Sequence, residues 1–368
     1  MLYIAIISLS IYLYYLWIFY KGISFKKQQK SFDRELVSIV VATRNEESNI
    51  SNLLITLTNQ TYPLDRYEII IANDGSTDRT KNIVEDFSSR FENITVFDVK
   101  NREGANSPKK NALEQAIALS KNDILLLTDA DCIVTTNWVK SMVSNFVDDV
   151  QMVAGFSRTM IKDWDKAELY KKFEFFDIIA IFSAAAGAII SGKYFSCSGQ
   201  NIGYRKTAFQ KVGGFKKISH MLSGDDVNLM QLFRKAKFRI NFSFNPQSFV
   251  YTKPVLSWQQ LINQRARWAS NLKFQIELNP EFFIYLVSLP LLLISSYFLV
   301  FTNFKIGFLL LAAKGIGDYV YISKSFEIFN VEKERQSFFI YWLAIQPLYI
   351  FVVSIFGQLS LFNWHGRK

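Results

Sequence analysis

The hydrophobic positions along the chain follow three patterns in turn. Residues 1–20, MLYIAIISLSIYLYYLWIFY, carry no charge, and an apolar helix of about that length crosses bilayer hydrocarbon. From Leu36 to about Val134, short apolar runs alternate with amphipathic ones. LVSIVVAT, YEIIIA, ITVFDV and DILLLT read as strands, each a short β-rich run bounded by turn residues. Three helices are predicted between them. They are ISNLLITLTN, a stretch capped by Ser76, Thr77 or Asp78 that runs toward Phe91, and SPKKNALEQAIALS with Pro108 in its first turn. Strands alternating with helices predict a mostly parallel α/β sheet covered on both faces.

Past Val134 the pattern weakens. Phe175 to Ile190 holds an apolar run of 13 residues after Asp177, short for a span; a buried helix and a helix at a membrane face both fit it. VGGF (212–215) and SGDD (223–226) read as loop punctuation. QQLINQRARWASNLKF (259–274) reads as one basic amphipathic helix. Three apolar segments come after it at 282–301, 306–322 and 338–362, the second interrupted by Lys314 and Asp318. The predicted organisation is an N-terminal transmembrane anchor (1–22), a sheet domain (36–278) in halves 36–134 and 135–278, and C-terminal transmembrane segments (281–362).

Composition changes this picture in a few respects. Aromatic residues make up 16% of the chain, which favours membrane contact because Tyr and Trp gather at bilayer interfaces. A net charge of +10 admits nucleic acid, an anionic membrane or a phosphate-bearing substrate. The basic residues cluster at Lys21–Lys30, Arg205–Lys217 and Arg234–Arg239, where membrane or phosphate would lie, so nucleic acid is not an expected partner. Cys132, Cys197, His220 and His365 provide neither a disulfide framework nor a zinc site. The first apolar stretch lacks the basic start and small-residue cleavage site of a signal peptide. Lys21, Lys26, Lys27 and Lys30 behind it put the rest of the chain on the cytoplasmic side.

In a parallel α/β sheet, ligands bind beyond the carboxyl ends of the strands. Three of the four predicted strands end in Thr43-Arg44-Asn45-Glu46, Asn73-Asp74-Gly75 and Asp129-Ala130-Asp131. Residues i and i+2 of an extended segment face one way, so Asp129 and Asp131 are expected to converge on one point. Such a pair suits a divalent cation such as Mg²⁺, which completes its shell with water and substrate phosphates; an acidic turn fits equally. Asp74 is placed to bind a base or ribose, or to cap a helix. Lys109 and Lys110 open a helix, where the dipole disfavours cations unless they bind an anion. One of the adjacent acids Asp225 and Asp226 is free to serve as a general base. Gln264, Arg267 and Trp268 share one helix side, giving a neutral donor, a bidentate phosphate binder and a ring for a sugar to stack on.

VSIVVATRNEESNI, IIIANDGSTDRT, TDADC, CSGQNIGYRKTAFQKVGGF, SGDDVNLM and QRARW stand in this order between Val37 and Lys273. Together they resemble the membrane-bound family 2 glycosyltransferases with a GT-A catalytic domain, in particular the ceramide-glucosyltransferase-like branch, whose WKGR ending is similar to the closing NWHGR. The resemblance implies a Rossmann-like GT-A fold with a nucleotide-sugar half (36–134) and an acceptor half with interface helices (135–278). It implies that Asp74 holds the uracil, with Thr43 and Glu46 lining the nucleotide pocket and Lys109 touching the diphosphate. Asp129 and Asp131 would be the metal-binding DxD pair, holding Mg²⁺ or Mn²⁺, and Asp226 the catalytic base. Gln264, Arg267 and Trp268 match the QxxRW motif at diphosphate and acceptor. Two departures matter: NDG replaces the commoner DDG, and GDD replaces TED, which leaves Asp225 as an alternative base.

The leading expectation is an inverting, metal-dependent hexosyltransferase that takes a UDP-sugar to a lipid or membrane-associated acceptor. It would be multi-pass in the cell (inner) membrane, with the catalytic domain cytoplasmic and Phe175–Ile190 lining a lipid entrance. A processive polysaccharide synthase shares the motifs but usually carries more spans. A non-catalytic nucleotide-sugar-binding membrane protein is the reading from another class.

Overall fold

The computed structural model describes residues 1–25, 35–100, 107–221 and 223–362. Lys26, Lys27, Lys30 and the closing NWHGRK lie outside the described residues. Helix α1 (Leu2–Ser24) comes first. Then β1 (Val37–Thr43), α2 (Ile50–Thr58), β2 (Tyr67–Asn73), α3 (Thr80–Arg90), β3 (Ile94–Asp98), α4 (Pro108–Leu119) and β4 (Ile124–Leu127) alternate. Next are β5 (Cys132–Val134), α5 (Trp138–Val143), β6 (Val150–Gly155), β7 (Ser157–Thr159) and α6 (Leu169–Ile190). After them come β8 (Ile202–Arg205), α7 (Lys206–Val212), α8 (Asp225–Lys235), β9 (Arg239–Ser243) and β10 (Val250–Thr252). Five helices complete the order: α9 (Trp258–Ala269), α10 (Leu272–Leu278), α11 (Pro280–Thr302), α12 (Phe304–Ile328) and α13 (Phe339–Gln358).

The chain divides into two compact units. The sheet unit, residues 27–160 and 196–253, holds a seven-stranded sheet in the order β3-β2-β1-β4-β8-β6-β9. β3, β2, β1 and β4 are mutually parallel, β8 is antiparallel to both neighbours, and β9 runs parallel to β6. The mostly parallel α/β sheet is therefore as expected. β1 and β4 are apolar nearly without break because both faces are covered. On one face Ile39, Val41 and Leu126 are wholly buried with Leu53 and Leu57 of α2 and Trp138 of α5, and on the other Val40, Leu125 and Leu127 are buried too. Each such side chain contributes roughly 1.5–3 kcal/mol by its burial. A second sheet, β5-β10-β7, adds three short strands.

The helical unit comprises residues 1–26, 161–195 and 254–368. α1, α6, α11, α12 and the stretch Lys333–Gln358 containing α13 are each long and apolar enough to cross a membrane. α6 extends well beyond its 13-residue apolar run because Leu169–Asp177 is helical too, with Phe173, Phe175 and Phe176 buried. It is 78% buried, against 39% or less for the other four, which fits the buried-helix reading better than a helix at a membrane face. Gly22 of α1 and Gly187 of α6 bring two backbones together: a Cβ on Gly22 would overlap the Gly187 carbonyl oxygen. Only glycine permits that approach. The charges that interrupt α12 pair with each other, Lys314 Nζ donating to Asp318 Oδ2 at 2.6 Å. Tyr12 donates to the other Asp318 oxygen at 2.6 Å, and Lys314 also donates to Gln346. The stretch 259–274 is two helices, α9 and α10, separated at Ser270–Asn271.

Candidate active site

The loops after β1 and β2 leave the sheet side by side, since Thr43 pairs with Asn73 at the ends of parallel strands. The Asp74 N–H donates to the Thr43 carbonyl at 2.9 Å, and the Asp74 carboxylate lies 3.7 Å from Arg44. Asn45 adopts a left-handed φ of 55°, a conformation asparagine tolerates better than most residues. Its side chain accepts from the Thr77 N–H at 2.8 Å, and the Glu46 N–H donates to Thr80 at 2.7 Å. The two loops thus hold each other. Asn73, the departure from DDG, has a local reason. Its amide nitrogen donates to Asp98 at 2.7 Å while its oxygen accepts from the Ser76 N–H. An aspartate there would face Asp98 as a like charge.

After β4 the expected extended geometry is replaced by a turn, because the Cys132 N–H donates to the Asp129 carbonyl at 3.1 Å. Asp129 and Asp131 therefore approach through turn curvature and not through strand alternation. They are close nonetheless. Lost hydration around its carboxylate and then the charge of Asp129 raise Asp131 above the ordinary carboxylate value, while the residue as a whole stays exposed and open to a ligand. Burial raises Glu46 as well, and Asp131 and Asp129 add to that, so three strand-end acids share one field. The Cys132 thiol donates to Asp131 at 3.6 Å.

The acids of SGDD are not in a loop but open α8, with Gly224 before them at φ 72°. Acids in a first turn are favoured by the helix dipole. The main-chain N–H groups of Gly199 and Val227 donate to Asp226 at 2.6 and 2.7 Å. Burial and the neighbouring Asp225 nevertheless push Asp226 up to about 6. Lys109 Nζ donates to Asp129 at 2.8 Å and lies 3.6 Å from Asp225. Its own burial works to lower it, yet Asp129 and Asp225 outweigh that and hold it above the ordinary lysine range. Lys110, beside it, is structural: its buried ammonium caps the carbonyls of Ile218 and Met221.

One pocket is lined by Lys109, Thr128, Asp129, Gly199, Tyr204, Asp225 and Asp226, with apolar walls from Leu127, Ile202 and Phe215. The structure thus brings Lys109, Asp129, Asp225 and Asp226 together, with Asp131, Glu46, Thr43 and Asp74 at the same strand ends. Gln264, Arg267 and Trp268 lie in the helical unit, half-buried on α9. Among the described residues no three acids, histidines or cysteines form a complete metal cage. Two carboxylates whose field is neutralised only in part by Lys109 fit a cation that takes its remaining ligands from phosphate and water. Sequence reasoning missed Gly199 as a donor to Asp226, although CSGQN carried it.

The model of the glycosyl transferase family 2 matches residues 38–213. A beta-monoglucosyldiacylglycerol synthase of Nostoc sp. is 27% identical over 237 residues, 63% of this chain and 48% of its own. The chain spans about half the length of such curated relatives. A poly-beta-1,6-N-acetyl-D-glucosamine synthase of Staphylococcus epidermidis is 24% identical over 346 residues, 88% of this chain and 78% of its own. Among solved structures, the mannosyltransferase PcManGT from Pyrobaculum calidifontis, in complex with GDP-Man and Mn²⁺, has a TM-score of 0.65 at 17% identity. The match covers 98% of this chain and 99% of that one, a likeness of fold.

Proposed function

We propose that the protein, whose residues 38–213 match the glycosyl transferase family 2 model and whose fold is like that of PcManGT, is an inverting transferase that moves a hexose from a UDP-sugar to a hydroxyl of a membrane lipid. The observation that carries this reading is Asp226, a carboxylate raised to about 6 in the pocket that also holds Lys109 and Asp129. A base of that strength is poised near neutral pH. Asp226 takes the proton of the acceptor hydroxyl, and the freed oxygen bonds to the anomeric carbon from the face opposite the nucleotide. The bond from that carbon to the diphosphate breaks, and its electron pair leaves with UDP. Asp74, with Thr43 and Glu46, binds the nucleoside, and Lys109 offsets charge on the departing diphosphate. Asp129 and Asp131 would hold Mg²⁺ or Mn²⁺, which when bound would offset the charge of the diphosphate as a leaving group. The roles of Gln264, Arg267 and Trp268 toward diphosphate and acceptor rest on their motif.

The lipid acceptor is supported by the diacylglycerol-directed relative and by the apolar helices of the helical unit. The same helices support a multi-pass protein of the cell (inner) membrane, and the lysines that follow the first of them in sequence support a sheet unit in the cytoplasm. The test is nucleotide release by purified protein with lipid extract, using UDP- and GDP-sugars, with and without EDTA. UDP release from one donor that stops in EDTA and returns with Mg²⁺ or Mn²⁺ is expected. GDP release only, or activity that persists in EDTA, refutes the donor or the metal assignment. The extent of the match to the polysaccharide synthase favours a second reading, processive polymerisation; a ladder of products in place of one glycolipid would establish it.

A further inference from the structure

We propose that Arg265, which stands inside Gln264-x-x-Arg267-Trp268 at a position the motif leaves open, is a positioning residue that sets the posture of the motif from α6 and α13. The inference rests on the transferase reading and concerns the helical unit by itself.

Arg265 is 3% exposed, and its Nε donates to Asp177 Oδ2 of α6 at 2.6 Å. The Tyr349 hydroxyl of α13 donates to that same oxygen at 3.0 Å. On its other side Arg265 Nη1 donates to Gln264 Oε1, and the guanidinium lies 4.2 Å from the centre of the Trp268 ring. One buried guanidinium therefore touches two of the three motif side chains while a carboxylate of α6, itself bonded by a phenol of α13, holds it. A guanidinium alone can do this, because its flat fork donates in fixed directions and stacks on a ring at once.

Three further contacts tie α9 and the segment leading into it to α6 and α13. Glu174, one turn before Asp177, accepts the Val255 N–H at 2.9 Å in the segment leading into α9. The Gln358 amide donates to the Ala269 carbonyl at 2.9 Å, and a Cβ on Gly357 would come within 2.8 Å of the Ala266 carbonyl oxygen. The backbone of α9 is thus fixed by α13, and its motif side chains by Arg265. Gln264 and Trp268 are half-buried at best; without Arg265 each regains rotamer freedom that a reaction must again remove.

The test uses the full chain in detergent or nanodiscs and separates positioning from mere bracing. Three forms are compared with the unaltered chain: Tyr349→Phe, Arg265→Lys, and the double form Asp177→Leu with Arg265→Leu. A buried ion pair removed as a pair leaves neither of its own charges alone, although Glu174 loses the favourable charge of Arg265 and the Tyr349 hydroxyl its acceptor. The double form is therefore expected to melt no more than a few degrees lower. Its kcat is expected to fall about tenfold to a hundredfold, with nucleotide affinity in the absence of acceptor unchanged. Arg265→Lys keeps the charge but loses fork and stack, and is expected to lose kcat similarly. The emission of Trp268, taken as the difference from Trp268→Phe, should shift in both. Original kcat and Trp268 emission in the double form would overturn the proposal. If that form does not fold, Tyr349→Phe decides: a lower kcat at unchanged melting supports positioning, and unchanged kcat and emission overturn it. If the unaltered chain releases no nucleotide from any donor, the transferase reading fails, and the emission shift alone judges the role of Arg265.

Discussion

Asp226 is held where ionisation is unfavourable, and stability and activity should therefore respond to pH in opposite directions. Its folded value of about 6 lies above that of an unfolded aspartate, so between roughly pH 4 and 6 the folded chain binds more protons than the unfolded one. Its contribution to stability is present below that window and is lost as pH rises through about 6. A base must be ionised, so kcat/KM should rise over the same window with its acid limb near pH 6. Asp226→Asn is expected to lower kcat about 10²–10⁴-fold and to raise the melting temperature at pH 8. A rate profile with its limb near pH 4, or a variant with unaltered turnover, would remove Asp226 from the base role and point to Asp225. At this scale the residue types in TDADC and SGDD were legible, but their geometry was not. TDADC admitted an acidic turn beside the extended pair, and the Cys132 N–H bond to the Asp129 carbonyl closes that turn. SGDD read as a loop because Ser223 and Gly224 are turn residues, whereas its two acids occupy the first turn of α8.

Among elements, β1, β2 and β4 could be read because burial on both faces leaves nearly continuous apolar runs, whereas β3, a half-exposed edge strand, was legible from its β-branched residues and the turns around it. β8 could not: its four residues include Gly203 and Arg205, too short a run to show a period. α12 read as a weak span because of Lys314 and Asp318, yet the two stand one helical turn apart and bond to each other. Charge buried on an apolar helix persists when it is paired. Lys314→Leu alone would leave Asp318 buried with Tyr12 and cost about 3–5 kcal/mol, whereas Lys314→Leu with Asp318→Leu should recover most of that loss. Thermal unfolding in detergent measures both. A single variant as stable as the unaltered chain would show that the pair contributes nothing to holding α12.

For the whole molecule, the chain enters the helical unit three times, and the middle visit, residues 161–195, interrupts the sheet unit. Periodicity cannot reveal this, since it reports which face of an element is covered and not by what. One consequence concerns truncation. A chain of residues 27–253 would keep α6 but lose Phe326 and Trp342, whose rings pack on Phe176, and Tyr321, whose hydroxyl donates to the Ala180 carbonyl at 3.2 Å. It is expected to aggregate without detergent, as exposed apolar patches of that size do. Size-exclusion chromatography decides, and a monodisperse species in plain buffer would contradict the arrangement. Another consequence is one of time. Gly22 meets Gly187 only after β1 to β7 have left the ribosome, on the order of ten seconds later at ~5–20 residues per second. If the first helix spans the bilayer as proposed, it waits there through that interval with its glycine notch filled by lipid or by a chaperone. Crosslinking of nascent chains stalled before and after α6 should find that notch occupied by something else first and by α6 only afterwards; the same partner at both stages would mean that no such wait occurs.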